Sequence, residues 1–189
     1  MNTRNGLLAV GVATGLAGLA HAGTVQINEV RIDMPGPDND EYFELAGPAG
    51  ASLDGLTYLV IGDGAGGSGV IEAVVPLDGA SIPGSGFFVA AEDTFTITTA
   101  DLTTSLNFEN GDNVTHVLVD GFTGADGDDL DTDDDGVLDV TPWSSVLDAV
   151  GLFEAPFGDL LYAEALGGVN VGPDGAFVPA HAYRCSPDG

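Results

Sequence analysis

Lysine is absent from the 189 residues, and arginine occurs only as Arg4, Arg31 and Arg184, against 30 acids and a formal net charge of −27. A surface of that sign repels phosphate backbones and anionic headgroups, which argues against nucleic-acid binding and against a catalytic site for polyanions. It suits surroundings rich in salt or divalent cations, which screen the repulsion. Cysteine occurs once, as Cys185, so no disulfide can form within the chain, and an exposed, incidental thiol is expected there. His21, His116 and His181 are scattered and do not provide the clustered ligands of a zinc site. Beyond residue 22 no apolar run is long enough to cross a bilayer, and no long stretch carries a helical period.

What is present begins with a targeting pattern. Arg4 lies in a short polar start, residues 6–20 are apolar, and Ala20-His21-Ala22 has the small-residue form of a cleavage site. Residues 1–22 are therefore expected to be a secretory signal peptide, cleaved after Ala22, and the mature protein to be secreted. Segments of apolar and β-branched residues then recur between Gly, Pro and Asp turns. Strands are expected at residues 24–32, 41–46, 56–61, 70–76, 86–91, 105–109, 114–120 and 146–153, with a slip near Glu29 suggesting a bulge. A short helix over 144–149, started by Thr141-Pro-Trp-Ser, is the alternative at the last of these. The spacing predicts an all-β, antiparallel β-sandwich over residues 23–153. Its core candidates are Val25, Ile27, Val30, Phe43, Leu45, Leu56, Tyr58, Val60, Phe88, Val89, Phe108, Val114, Val117, Val119 and Trp143. Residues 154–189 lose the pattern and read as an irregular extension packed onto the sandwich. The chain stops at Ser186-Pro-Asp-Gly without a closing strand, as a segment of a longer chain would.

Eight carboxylates fall between Asp126 and Asp139, and no Lys or Arg occurs between Arg31 and Arg184. At a separation of about 6 Å in water, each like pair costs roughly 0.7 kcal/mol, so the run either stays solvated or folds around a metal ion. Asp131, Asp133, Asp135 and Gly136 reproduce the D-x-D-x-D-G opening of a calcium loop, in which alternate carboxylates converge and glycine permits the turn. On that register the carbonyl of Val137 is the fourth ligand and Asp139 the ninth-position group. Pro142 occupies the twelfth position, normally a bidentate Glu, so the closing carboxylate must come from Asp128, Asp129 or Asp148. The expected calcium site is Asp129, Asp131, Asp133, Asp135, Val137 and Asp139.

Several strings, in order, resemble the lamin-tail domain as it occurs in secreted bacterial proteins. They are Val25-Gln-Ile-Asn-Glu-Val30, Glu41-Tyr-Phe-Glu-Leu45, Ser52-Leu-Asp-Gly-Leu-Thr-Tyr58, Ile82-Pro-Gly-Ser-Gly-Phe-Phe-Val89, Phe108-Glu-Asn-Gly-Asp-Asn-Val114 and Val146-Leu-Asp-Ala-Val150. The resemblance implies an immunoglobulin-like β-sandwich over residues 24–120, resuming at Val146, with no catalytic machinery. It also implies an adhesion, anchoring or accessory role, often beside extracellular hydrolases. Family members join the last two strands by a short turn, whereas this chain inserts residues 121–142 there.

Other constellations favour structural readings. Glu29, Glu41 and Glu44 could be read as paired catalytic acids, but the resembled family has acids there as part of its fold pattern. Gly62 to Gly67 matches G-x-G-x-x-G, but a β-type run follows it and no helix N-terminus, so a flexible hairpin loop is expected. Ser68 and Ser85 lack nucleophile-elbow spacing. His116, facing away from Val117 and Val119, is expected at the surface or an edge. Asn113-Val-Thr115 is a glycosylation pattern only, and Trp143 is expected to cover the core beneath the acidic loop and not to serve as a sugar platform.

The resulting expectation is a secreted, non-catalytic, calcium-stabilised module that binds an extracellular protein or polysaccharide, with no nucleic-acid partner and no membrane insertion. The alternatives are a metal-dependent extracellular hydrolase or an accessory fragment of one, and an acidic protein that templates mineral or buffers calcium. The hydrolase would need a nucleophile or positioned base that the sequence does not supply.

Overall fold

A computed structural model describes residues 25–64, 66–106, 108–154 and 160–185; the expected signal peptide and its cleavage site lie outside the described residues. Ten strands form two five-stranded sheets among those residues. In chain order they are β1 (Gln26–Arg31), β2 (Tyr42–Ala46), β3 (Leu56–Gly64), β4 (Gly67–Pro76) and β5 (Phe87–Ala91). β6 (Leu102–Thr103), β7 (Val114–Asp120), β8 (Ser145–Leu152), β9 (Val169–Val171) and β10 (His181–Tyr183) follow. One sheet has the order β10-β1-β2-β5-β6 and the other β4-β3-β7-β8-β9. Neighbours are antiparallel except the short edge strands β6 and β9, which run parallel to β5 and β8.

The sheets face each other across one apolar core. Ile27, Val30, Phe43, Leu45 and Phe88 come from the first sheet, and Tyr58, Val60, Val75, Val114 and Leu118 from the second. The Phe43 and Tyr58 rings stack across the interface with centroids 3.7 Å apart. Ile27 and Val30 are an odd number of residues apart, which in a regular strand would place them on opposite faces. A register shift between Ile27 and Glu29 inserts one residue, so both point inward, as the slip near Glu29 predicts.

Both central strands of the second sheet are buried on both faces. Tyr58, Val60, His116 and Leu118 face the first sheet, whereas Leu59, Ile61, Val117 and Val119 form a second core on the outer face. That period-2 division is why Tyr58 to Ile61 of β3 form an unbroken apolar run: each face has its own cover. The cover comes from the acidic connection between β7 and β8, through Leu130, and from the tail, through Tyr162 and Ala163. Trp143 packs half-buried against this outer core, as expected.

Two expectations change, and two weaker readings are decided. No strand forms at Ser105, Leu106, Phe108 or Glu109: the Phe108 amide donates to Glu41 Oε2 at 2.9 Å, away from any ladder, while Leu106 and Phe108 still fill the core. No helix forms over 144–149; Ser145–Leu152 pairs along the whole of β7. His116 is 0% exposed, because the face opposite Val117 and Val119 is the core between the sheets. The Asn113 pattern is buried and its Oδ1 accepts from the Glu154 amide at 2.8 Å, which leaves no exposed amide for a glycan.

The tail is largely irregular but adds an edge strand to each sheet, β9 beside β8 and β10 beside β1. Arg184 fastens it. Its Nη2 donates to both oxygens of Asp148 on β8 at 2.9 Å, and its Nε donates to the Ile27 carbonyl on β1 at 2.8 Å. Asp148 also accepts from the Ile27 amide at 2.8 Å, so this carboxylate and guanidinium tie β8 to β1. Cys185 is a free, exposed thiol, as the sequence leads one to expect.

Candidate metal centre

The acidic connection begins as an added strand. Val70 and Asp129 form an antiparallel bridge, and the Gly127 amide donates to the Ile71 carbonyl at 2.8 Å. The Ile71 amide donates to the Asp128 carbonyl at 2.9 Å, and the Leu130 amide to the Gly69 carbonyl at 2.9 Å. Residues 127–130 thus occupy the free edge of β4 and place Leu130, 1% exposed, in the outer core. The chain then turns sharply at Asp134 (φ 53°) and Gly136 (φ 87°), left-handed conformations that Asp tolerates and Gly adopts freely. It returns at Asp139, whose amide donates to the Leu130 carbonyl at 2.7 Å.

Asp131 is the pivot. It is 0% exposed. Its Oδ2 accepts from the Tyr162 hydroxyl at 2.8 Å and from the Gly136 amide at 2.9 Å, while Oδ1 accepts from the Asp135 amide at 3.2 Å. A carboxylate offers about four lone-pair sites, so these three bonds orient Asp131 without exhausting it. Burial, followed by the hydrogen bond to Asp131 and its negative charge, raises the Tyr162 pKa and keeps the phenol a donor.

One carboxylate oxygen each from Asp131, Asp133 and Asp139 lies within 4.8 Å of the others. Asp133 is exposed, and the negative charge of Asp135, then desolvation and the charges of Asp139 and Asp131, raise its pKa. Among the described residues no salt bridge reaches these groups. The other expected ligands are placed less directly. Asp135 caps its own turn by accepting from the Val137 amide at 2.9 Å, and the Val137 side chain is exposed. Asp129 accepts from the Asp131 amide at 3.1 Å, and Asp128 from the Ala125 amide at 2.7 Å. Asp139 is held by the Thr132 amide and hydroxyl at 2.9 and 2.6 Å. Asp148, a candidate for the closing carboxylate, is removed from that role by its bonds to Arg184 and Ile27.

The three carboxylates are placed so that they could hold a hard divalent cation. Oxygens bound to one Ca²⁺ at about 2.3–2.6 Å stand at most about 5 Å apart, and the three oxygens meet that limit. They are hard, anionic donors without a competing guanidinium. Asp131 and Asp139 are already oriented by hydrogen bonds, the outer-shell support that metal ligands ordinarily have.

The Gly62–Gly67 region, expected to be a flexible loop, receives the acidic connection. The Ser68 amide donates to Asp134 Oδ1 at 2.8 Å. Gly69 (φ +88°) lies so close to the connection that a Cβ would stand 2.7 Å from Asp131 Cβ and 2.9 Å from the Asp131 amide nitrogen.

A second acidic group escaped the sequence reading. Oxygens of Asp63, Glu72 and Glu109 lie within 4.8 Å of one another. Glu72 is the extra residue of a bulge opposite Val60 and Ile61, and such an insertion re-aims the side chain. Burial, then the charge of Glu109, pushes its pKa up to about 8. Glu72 and Glu109 themselves line a cavity of about 420 Å³, together with Asp38, Glu41, Glu92, Phe108 and Asn110. Desolvation raises Glu41 to about 7, against the lowering effect of the Phe108 amide bond.

His116, His181, Glu29 and Glu44 have structural partners. His116 Nδ1 lies 2.9 Å from the Tyr58 hydroxyl, and burial lowers its pKa to about 3, which keeps the ring neutral. His181 Nε2 is 2.6 Å from Glu29 Oε1, and Glu44 accepts from the Asn28 side-chain amide at 2.7 Å. No protein-family model, curated protein or solved structure matches the chain.

Proposed function

We propose that the chain is a secreted, non-catalytic module of lamin-tail type, with an immunoglobulin-like arrangement of its sheets, stabilised by one calcium ion in the acidic connection. Its role is binding or structural, at the cell surface or outside the cell, toward a protein or polysaccharide partner. The observation that carries the calcium reading is the convergence of Asp131, Asp133 and Asp139 in the stretch that has the D-x-D-x-D-G spacing. Asp131 and Asp139 would supply fixed carboxylates and Asp133 an adjustable one. Asp129, Asp135 and the Val137 carbonyl are near enough in sequence to complete the shell. Bound calcium supplies positive charge where the protein has none, offsetting the repulsion among the eight acids. The hydrogen bonds of His116 and Glu29, and of Asp148, hold the fold together, which favours a binding role over hydrolysis.

A calorimetric calcium titration tests the reading, run on the protein and on Asp131→Asn and Asp139→Asn. One saturable site, lost or weakened at least tenfold in both variants, is the expected result. Heats indistinguishable from dilution, or binding unaffected by either substitution, would refute it.

A further inference from the structure

The acidic connection does two jobs with one backbone, and their coupling yields a device. Residues 127–130 pair with Gly69–Ile71 on the free side of β4, the edge strand of its sheet. Leu130 closes the outer core over Ile61, Ile71 and Val117. The next residue, Asp131, belongs to the acidic turn and is anchored to Tyr162 of the tail. Holding the turn together therefore holds the edge cover down.

We infer that residues 127–139 form a cation-latched strap: calcium in the turn keeps the β4 edge covered, and its removal frees that edge while the sandwich stays folded. This rests on the calcium reading given above. Without the ion, eight carboxylates between Asp126 and Asp139 repel one another at short range, with no guanidinium between Arg31 and Arg184 in sequence to offset them. What opposes release is the strap's three backbone hydrogen bonds to β4, the bond from the Ser68 amide to Asp134, Leu130, and the Asp131 contacts. The main core does not depend on the strap, because Phe43, Tyr58, Phe88 and Leu118 pack between the sheets without it. Release would leave the Ile71 amide and the carbonyls of Gly69 and Ile71 unpaired, beside newly exposed apolar side chains.

Amide hydrogen exchange followed by NMR tests this on the full chain, in saturating calcium and in chelator, beside the calorimetric titration. In chelator the amides of Gly127, Leu130 and Ile71 should exchange at least about tenfold faster, while those of Leu59 and Val117 in the central strands change less than about twofold. In saturating calcium, Tyr162→Phe should speed exchange at Leu130 and leave Leu59 unchanged, because it removes the Asp131 bond and keeps the ring. Saturable calcium binding with unchanged exchange at Ile71 and Leu130 would overturn the strap and leave the calcium site standing. Equal acceleration at Ile71 and Leu59 would overturn it too, since the molecule would then open as a whole. Absence of calcium binding would overturn both.

Discussion

Adding one methyl group at Gly69 should cost more than the backbone conformation alone explains. At φ +88° a non-glycine residue is strained by roughly 1–2 kcal/mol. In addition, its Cβ would stand 2.7 Å from Asp131 Cβ, 2.9 Å from the Asp131 amide nitrogen and 3.1 Å from the Tyr162 hydroxyl. Two of these neighbours belong to the backbone or the first side-chain atom of a fully buried residue, so neither can swing aside. The strap must move outward, weakening its bonds to β4 and the Tyr162 contact. A further 1–3 kcal/mol is the usual cost of such overpacking, giving about 2–5 kcal/mol for Gly69→Ala. Gly79 supplies the control. Its φ is +81°, yet a Cβ there meets nothing within 4 Å, so Gly79→Ala should show the backbone part alone. Urea unfolding at fixed calcium would measure both. If Gly69→Ala is no more destabilising than Gly79→Ala, the close approach of strap to hairpin is wrong.

Three further outcomes follow from the same structure. Glu41 has a folded-state pKa of about 7 against an ordinary 4.5, so the folded protein holds its proton more tightly than the unfolded chain. Its contribution is fully present below about pH 4.5, declines as pH rises, and is gone above about 7. Glu41→Gln, which keeps an acceptor for the Phe108 amide, should therefore stabilise the protein by about 1–2 kcal/mol at pH 8 and change little at pH 4. Denaturant unfolding at the two pH values checks this, and equal effects at both would refute it. Arg184→Ala leaves the Asp148 carboxylate, 11% exposed, without its cation, and should cost about 2–4 kcal/mol in the same assay. A cost under about 0.5 kcal/mol would show that the tail does not hold β8 to β1. Replacing Leu130 by Ala removes a buried side chain from the outer core and should cost about 2–4 kcal/mol, measured by thermal unfolding in calcium. No measurable change would mean that the strap does not seal that face.

Most strands were legible because alternation and turn residues are local properties. Leu56 to Ile61 and Val114 to Val119 announce themselves by composition, and even the bulge beside Glu29 shows as a break in period. What period cannot tell is which faces are covered. His116 alternates correctly with Val117 and Val119, but its burial depends on a second sheet arriving opposite it. The unbroken apolar run from Tyr58 to Ile61 in β3 was the available sign that both faces would be covered. The Asp131 spacing pointed to the acidic turn, whereas its anchor, Tyr162, lies in a Gly- and Pro-rich tail whose only cue is the short apolar patch Leu160-Leu-Tyr-Ala163. Glu72 joins Asp63 and Glu109 through a bulge, and no spacing rule relates residues from three separate segments.

Thermal unfolding in calcium and in chelator tests the central claim most directly. Calcium at about 100 times its dissociation constant stabilises a singly liganded fold by about 2.7 kcal/mol, which for a domain of this size raises Tm by several degrees. The account predicts that rise, increasing with calcium concentration and abolished by Asp131→Asn. Coincident unfolding curves in calcium and chelator would contradict it.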